Sequence, residues 1–344
     1  MKAAVLYKNE RYLKIEEVSN KSISPGMVRI KIKCCGVCGS DLHMTLHAKL
    51  SLPHYPVILG HESSGVVNEI GEGVTKFKKG DRVVISSGIS CGTCNHCLEG
   101  RLNLCAKKGV LGSEHDGAFA EEVVIHERFL FHLPDDIPFD QGAILADAVS
   151  TPYHAIKYEG RIKEGDTVAI VGCGGLGIHG VGIAKALGAG RIIAVDLDEG
   201  ALQNASLYGA TDLINAKKIK NIGKTLKEIT NGVDLLCDFS GYYKNISDSV
   251  RAMNTGGRMV LVGIGMNALK IGFPLMMIDR MISVIGSIGC DTRSIPELIS
   301  LIQSKKLDLT KSITSTHKLE EVNDCLENLD QRKGNPIRFI IQPN

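Results

Sequence analysis

The sequence predicts an α/β protein in which a doubly wound parallel sheet occupies residues 151–291 and a β-rich domain is built from residues 1–150 and 292–344. Three observations predict it. Up to about residue 150 the chain carries short runs of β-branched residues punctuated by glycine. From about residue 160, apolar runs alternate with helix-length segments, the pattern of a parallel sheet covered on both faces. The last fifty residues hold one helix and a closing strand.

In chain order, "AAVLY", "LKIEEV" and "VRIKIKCCGVC" alternate or cluster β-branched residues and read as strands, followed by "SSGVVNEIGEGV" and "GDRVVIS". "DTVAIVGCGGLG" is a buried-strand run ending in glycines, "LGIHGVGIAKALGAG" has helical spacing, and "RIIAVDLD" is a second buried run. "DLLCDFSG", "GRMVLVGI" and "ISVIGSI" continue the strands, separated by helix-length segments such as "KNISDSVRAMN". "SIPELISLIQSKK" reads as the late helix and "PIRFIIQPN" as the closing strand, with no internal repeat or low-complexity tract.

At 344 residues the chain accommodates two domains, and its 44% hydrophobic and 23% charged residues are ordinary for a globular protein. Forty basic residues against 38 acidic ones give a net charge of +2, which favours neither nucleic acid nor an anionic membrane as partner. The N-terminal apolar run is too short for an export signal, and no stretch approaches the ~20 apolar residues of a membrane span. A cytoplasmic location is expected, where disulfides rarely persist, and the odd count of 11 cysteines agrees with it. Cys34, Cys35, Cys173, Cys237, Cys290 and Cys325 are dispersed and read as buried small hydrophobes.

"VAIVGCGGLG" contains G-x-G-x-x-G at Gly172, Gly174 and Gly177, directly after a strand and opening a helix. Asp196 ends the next strand, 19 residues past Gly177. The first glycine permits a tight turn, the second lets backbone approach a pyrophosphate, and the third lets helix and strand pack closely. The loop Gly172–Gly177, with Gly175 and Leu176 inside it, therefore reads as a Rossmann dinucleotide site whose helix N-terminus faces phosphates. Asp196 would accept from the adenosine ribose hydroxyls and repel a 2′-phosphate, favouring NAD over NADP unless Arg191 or a nearby lysine compensates. The competing reading is a glycine-rich turn that binds no nucleotide.

Cys91, Cys94, Cys97 and Cys105 are spaced C-x2-C-x2-C-x7-C. Four thiolates on a short looped segment suit a tetrahedral structural zinc with no position left for water. A four-iron cluster takes the same number of ligands, and reduced, empty thiols are the third possibility. His96 is redundant beside four thiolates. Upstream, "GVCGSDLH" supplies Cys38, Ser40 and His43, and "ILGHESSG" supplies His61 and Glu62. From spacing alone a metal site there is only suggested, since a lone Cys and His commonly belong to a core.

"GHESSGVVNEIGEGV", with glycines at 65 and 71, resembles the zinc-site pattern of the medium-chain, zinc-dependent alcohol dehydrogenases. "GVCGSDLH", the four-cysteine lobe, "DGAFAEE" and the glycine loop follow that family's order over essentially the whole chain. The resemblance implies a GroES-like catalytic domain carrying a structural-zinc lobe over 88–108, and a homodimer or homotetramer joined through an edge strand near "GRMVLVGI". It implies a catalytic zinc on Cys38 and His61, with Glu62 beside it as an occasional ligand. "ADAVSTPYHA" is similar to the D-x-x-[ST]-T segment of bacterial and archaeal members, which makes Asp147 the third ligand where many animal and yeast members use cysteine. Zinc accepts carboxylate oxygen.

The activity so implied is hydride transfer from an alcohol to NAD, giving a ketone or aldehyde. The zinc would acidify the substrate hydroxyl. Ser40 would take its proton, and the relay would pass through a ribose hydroxyl to His43. By resemblance Thr151 and Leu176 flank the nicotinamide and Arg338 faces the pyrophosphate; a surface Ser, a surface His and a solvated Arg are the bland alternatives. His47, His54, His115 and His154 read as structural. Ser87 stands where many simple alcohol dehydrogenases carry a bulky aromatic, which points to a roomier pocket for secondary alcohols, polyols or larger hydroxylated substrates. Two other readings compete: a zinc-free quinone or enoyl reductase of the same superfamily, and a non-enzymatic zinc-binding protein on the same fold. Neither explains a full ligand set beside a relay.

Overall fold

A computed structural model describes residues 1–272 and 274–343. The chain divides into two units, Met1–Ser150 with Gly289–Asn344, and Thr151–Ile288. In the first unit the strand Met27–Gly36 is the hub. It pairs antiparallel with Glu62–Ile70, Glu122–His126 and Arg338–Gln342. The resulting seven-stranded sheet runs Leu130–His132, Arg82–Ile85, Glu62–Ile70, Met27–Gly36, Arg338–Gln342, Ile313–Lys318, with Glu122–His126 off that path. Val28, Ile30 and Ile32 alternate inward along the hub, as a half-buried strand requires, and join Leu6, Leu59, Phe119 and Ile341 in one apolar core. The closing strand is thereby held against a strand some three hundred residues earlier, with Ile340 opposite Gly36.

The second unit is a six-stranded parallel sheet ordered Asp212–Asn215, Arg191–Asp196, Thr167–Val171, Val233–Asp238, Met253–Leu261, Ser283–Gly286. The strands Thr167–Val171 and Arg191–Asp196 are almost wholly buried, which explains their unbroken apolar runs. Its helices are locally specified. Glu199–Tyr208 starts where Asp198 accepts from the Ala201 N–H and stops at Gly209, φ 114°. Ile222–Thr230 is capped the same way by Asn221 and closed by Asn231 in the left-handed region.

Two expectations are corrected. "KNISDSVRAMN" does not form one helix: a short helix Tyr243–Ile246 passes into a 3₁₀ segment Ser247–Ala252, because the next strand already begins at Met253. "GRMVLVGI" is not the sheet edge; it sits one position inside, paired on both sides, and Ser283–Gly286 is the edge. Of the dispersed cysteines, Cys34, Cys35, Cys173, Cys237 and Cys325 are buried as expected, and Cys290 is half-buried. No helix among the described residues is long and apolar enough to cross a membrane.

Candidate active site

Cys38 follows the hub strand Met27–Gly36 in extended backbone and precedes the helix Gly39–Met44. The sheet register sets Gly36 opposite Glu62, and a Cβ at Gly36 would lie 2.2 Å from Glu62 Oε2, so glycine there makes room for that carboxylate. His61 immediately precedes the paired strand Glu62–Ile70. Asp147 sits in a π-helical turn, Leu145–Val149, a distortion that often occurs at functional sites. Thus a strand end, a strand start and an irregular helix turn bring together residues spread over 109 positions.

The ligand atoms of Cys38, His61, Glu62 and Asp147 all lie within 4.8 Å of one another. Cys38 Sγ is 3.7 Å and His61 Nε2 is 3.6 Å from Asp147 Oδ2. A tetrahedral zinc with ordinary bond lengths separates such donors by about 3.4–3.6 Å. Cys38, His61 and Glu62 are buried, and neither oxygen of Glu62 accepts a hydrogen bond among the described residues. Gathering a thiol, an imidazole and two carboxylates into one largely buried cluster is costly, and a divalent cation among them offsets that cost, so the donor set fits one. Burial pushes Glu62 up to about 7 against the pull of Arg338. Burial alone would lower His61, but Asp41, Asp147 and Cys38 outweigh it and hold the imidazole well above its usual range.

Three neighbours support the cluster. Asp41, fully buried, accepts the Cys38 N–H at 2.9 Å through Oδ2 and sets Oδ1 3.6 Å from His61 Nδ1. Sequence reading passed over it, although an acid three residues after Cys38 at a helix start is the signal of such a cap. A carboxylate behind a metal-binding imidazole fixes its orientation and basicity. Arg338, 2% exposed, places Nε 3.3 Å from Glu62 Oε2 and donates to the Val37 carbonyl at 2.8 Å. Burial acts to lower its pKa, and Glu62, Cys38 and Asp147 more than offset this. The bland alternative of a solvated Arg338 is therefore excluded, and its guanidinium is engaged with Glu62. Ser40 Oγ lies 3.2 Å from His61 Nε2, on the cluster itself, which excludes a mere surface role. Ser87 donates to the Ala146 carbonyl at 3.0 Å, beside the π-turn. His43 is half-buried and faces His47.

In the four-cysteine lobe, Sγ–Sγ separations are 3.5 Å for Cys94–Cys97, 3.5 Å for Cys91–Cys105 and 3.8 Å for Cys91–Cys97. The edge of a tetrahedral zinc–thiolate site is about 3.8 Å. In a four-iron cluster each cysteine would sit on its own iron, further from the next. Backbone N–H groups of Cys94, Cys91 and Lys107 donate to these sulfurs, and hydrogen bonds from Thr93 and Cys94 lower Cys91 to about 5. His96 is not among the converging donors.

In the second unit, Gly172 has φ 84°, and a Cβ on Gly177 would lie 1.7 Å from the Gly172 carbonyl oxygen. Both positions therefore demand glycine. A Cβ at Gly174 would meet nothing within 4 Å, which leaves its backbone open to a ligand. Leu176 caps the helix Gly177–Ala186, His179 Nδ1 donates to the Gly175 carbonyl at 2.7 Å, and Thr151 is buried. Asp196 accepts the Cys173 N–H at 2.7 Å and the Asp198 N–H at 2.9 Å, fixing the carboxylate beside the loop. Arg191 is at the other end of that strand, bonded to both oxygens of Asp212 at 2.9 and 2.6 Å, so it does not compensate Asp196.

Fold and donor clusters together define a class: a two-unit dehydrogenase with a dinucleotide-type glycine loop and zinc-type ligand sets. Residues 24–135 match the alcohol dehydrogenase GroES-like domain, and residues 175–304 match the zinc-binding dehydrogenase domain. The chain is 33% identical to sorbitol dehydrogenase of Bacillus subtilis, over 100% of this chain and 98% of that protein. It is 34% identical to alcohol dehydrogenase of Geobacillus stearothermophilus, over 96% of each. Among solved structures, 2R,3R-butanediol dehydrogenase of Bacillus subtilis superposes with a TM-score of 0.90 at 30% identity, covering 100% and 99% of the two chains. The chain belongs to the medium-chain zinc alcohol and polyol dehydrogenase family, and it is an oxidoreductase acting on alcohols.

Proposed function

We propose that this chain oxidises a secondary alcohol, polyol or other hydroxylated small molecule with NAD, using a zinc held by Cys38, His61 and Asp147 with Glu62 beside it. A second, structural zinc is assigned to Cys91, Cys94, Cys97 and Cys105. The observation that carries the reading is the buried sulfur, nitrogen and oxygen donor set spaced for a tetrahedral ion, with a serine hydroxyl on it. Zinc there would supply a Lewis acid that acidifies a hydroxyl. Once His61 Nε2 is committed to a cation, Ser40 Oγ is released to accept a substrate proton and pass its own onward. His43 would be the chain's own group that takes the proton on toward solvent. The glycine loop Gly172–Gly177 would hold the pyrophosphate, with Thr151 and Leu176 toward the nicotinamide, and Arg338, buried against Glu62, would neutralise that carboxylate. NAD is preferred because Asp196 is fixed as an acceptor and Arg191 is already paired.

The substrate class is supported by the small Ser87 beside the Asp147 turn and by relatives named for sorbitol and 2R,3R-butanediol. A homodimer or homotetramer is proposed through the sheet edge at Ser283–Gly286, where the directly preceding segment exposes Leu275, Ile278 and Met281. A cytoplasmic setting fits the free cysteines. The test is a panel of alcohols, polyols and ketones with NAD and with NADP. Secondary alcohols or polyols with NAD should give the highest kcat/KM. Ethanol leading the panel would contradict the substrate class, and turnover by zinc-free protein would favour the quinone or enoyl reductase reading.

A further inference from the structure

The turn after helix Gly39–Met44 places His43 and His47 side by side, with Nδ1 atoms 3.3 Å apart and ring centroids 5.4 Å apart. On its other side His47 Nε2 lies 2.7 Å from Oδ1 of Asp330, the last residue of helix Val322–Asp330. The backbone fixes both rings' origins: the His47 N–H donates to the Leu42 carbonyl at 2.9 Å, and the His43 carbonyl accepts from Lys49 at 2.8 Å.

Hydrogen-bond chemistry assigns the protons. A carboxylate only accepts, so His47 Nε2 carries the hydrogen and Nδ1 of the neutral ring is a lone pair. Nδ1 of His43 faces that lone pair and must donate to it. A neutral imidazole has one N–H, so Nε2 of His43 is left bare. We propose that Asp330, acting through His47, holds His43 in its Nδ1–H tautomer and thereby makes Nε2 of His43 the acceptor of the substrate proton.

This rests on the dehydrogenase reading above and assigns His47 and Asp330 as positioning residues. The balance is simple. One proton arrives at His43 Nε2, giving an imidazolium stabilised through His47 by the Asp330 carboxylate, and the same proton leaves to water. The ionisable groups facing the pair are Asp330 from the late helix and Lys49 from the following turn. Burial first, and then the positive charge of Lys49, lower His43 and favour the neutral ring that can accept. A protonated His47 would present N–H at Nδ1, force His43 Nδ1 to accept, and move the His43 proton to Nε2, closing the relay.

Ring ¹⁵N shifts of the full chain, with His43 identified by His43→Gln, report the tautomer directly. Wild type should show Nδ1–H at His43, while His47→Phe and the more exposed Asp330→Ala should both shift it toward Nε2–H. Loss of kcat should be roughly tenfold, short of the about 10²–10⁴ that losing acid–base assistance costs, with unchanged zinc content and restoration by Asp330→Glu. An Nε2–H tautomer in wild type, or variants with wild-type tautomer and pH profile, overturns the inference. Tautomer shifts without a change in kcat overturn the relay role alone. A wild-type chain that oxidises no alcohol overturns the dehydrogenase reading itself.

Discussion

The buried pair of Arg338 and Glu62 shows how one residue can serve the site without being a ligand. Each charge is buried and lies 3.3 Å from the other, so removing one leaves the other uncompensated. Arg338→Met should lower stability by about 3–5 kcal/mol, and adding Glu62→Gln should return much of it, measured by denaturant unfolding of the four combinations. Equal losses in single and double variants would mean the pair is not coupled. Asp196 carries a second residue-scale prediction. Asp196→Ser keeps an acceptor for the Cys173 N–H but removes the charge, so the NAD/NADP ratio of kcat/KM should fall about tenfold, the worth of one charged hydrogen bond. No change in that ratio would place cofactor choice elsewhere. Residues were unequally legible. Asp196 stood out because its spacing from Gly177 is set by one strand–helix–strand unit. Asp41 did not, since an acid in the first turn of a helix is unremarkable until the His61 ring is seen 3.6 Å away.

Elements were legible where they carry their own signal. The parallel strands read as unbroken apolar runs because both faces are buried, and the cysteine lobe read as a site because all four ligands fall within residues 91–105. The π-turn holding Asp147 left no mark in the sequence pattern, and that ligand was reached only through resemblance. The segment after Phe239 misled, because helix-length polar spacing does not distinguish an α-helix from 3₁₀ turns. Two elements yield predictions. Gly177→Ala places a Cβ where the Gly172 carbonyl stands, so the loop must open; stability should drop by about 2–3 kcal/mol and NADH binding, read by fluorescence, should be lost. Retained binding would mean the loop is free to shift. Cys97→Ser breaks the lobe, whose ordering depends on ligation; limited proteolysis should then cut within residues 91–110 while wild type resists. Equal resistance would mean the lobe holds without metal.

At the scale of the whole molecule, a hub strand, Met27–Gly36, and a closing strand, Arg338–Gln342, carry between them the supports of one buried donor set. The class of protein was legible from end to end because its motifs are local and ordered. The pairings that span the chain were not: Asp330 and His47 are 283 residues apart, and neither position has a pattern that announces the other. The central claim is that Cys38, His61 and Asp147 hold a zinc on which alcohol oxidation depends. It is tested most directly by measuring zinc content and alcohol-dependent NAD reduction on the same preparations of wild type and Asp147→Ala. The account predicts two zinc ions per chain falling to one, with the lobe's ion retained and alcohol oxidation lost. An Asp147→Ala chain that keeps both its metal content and its activity would contradict it.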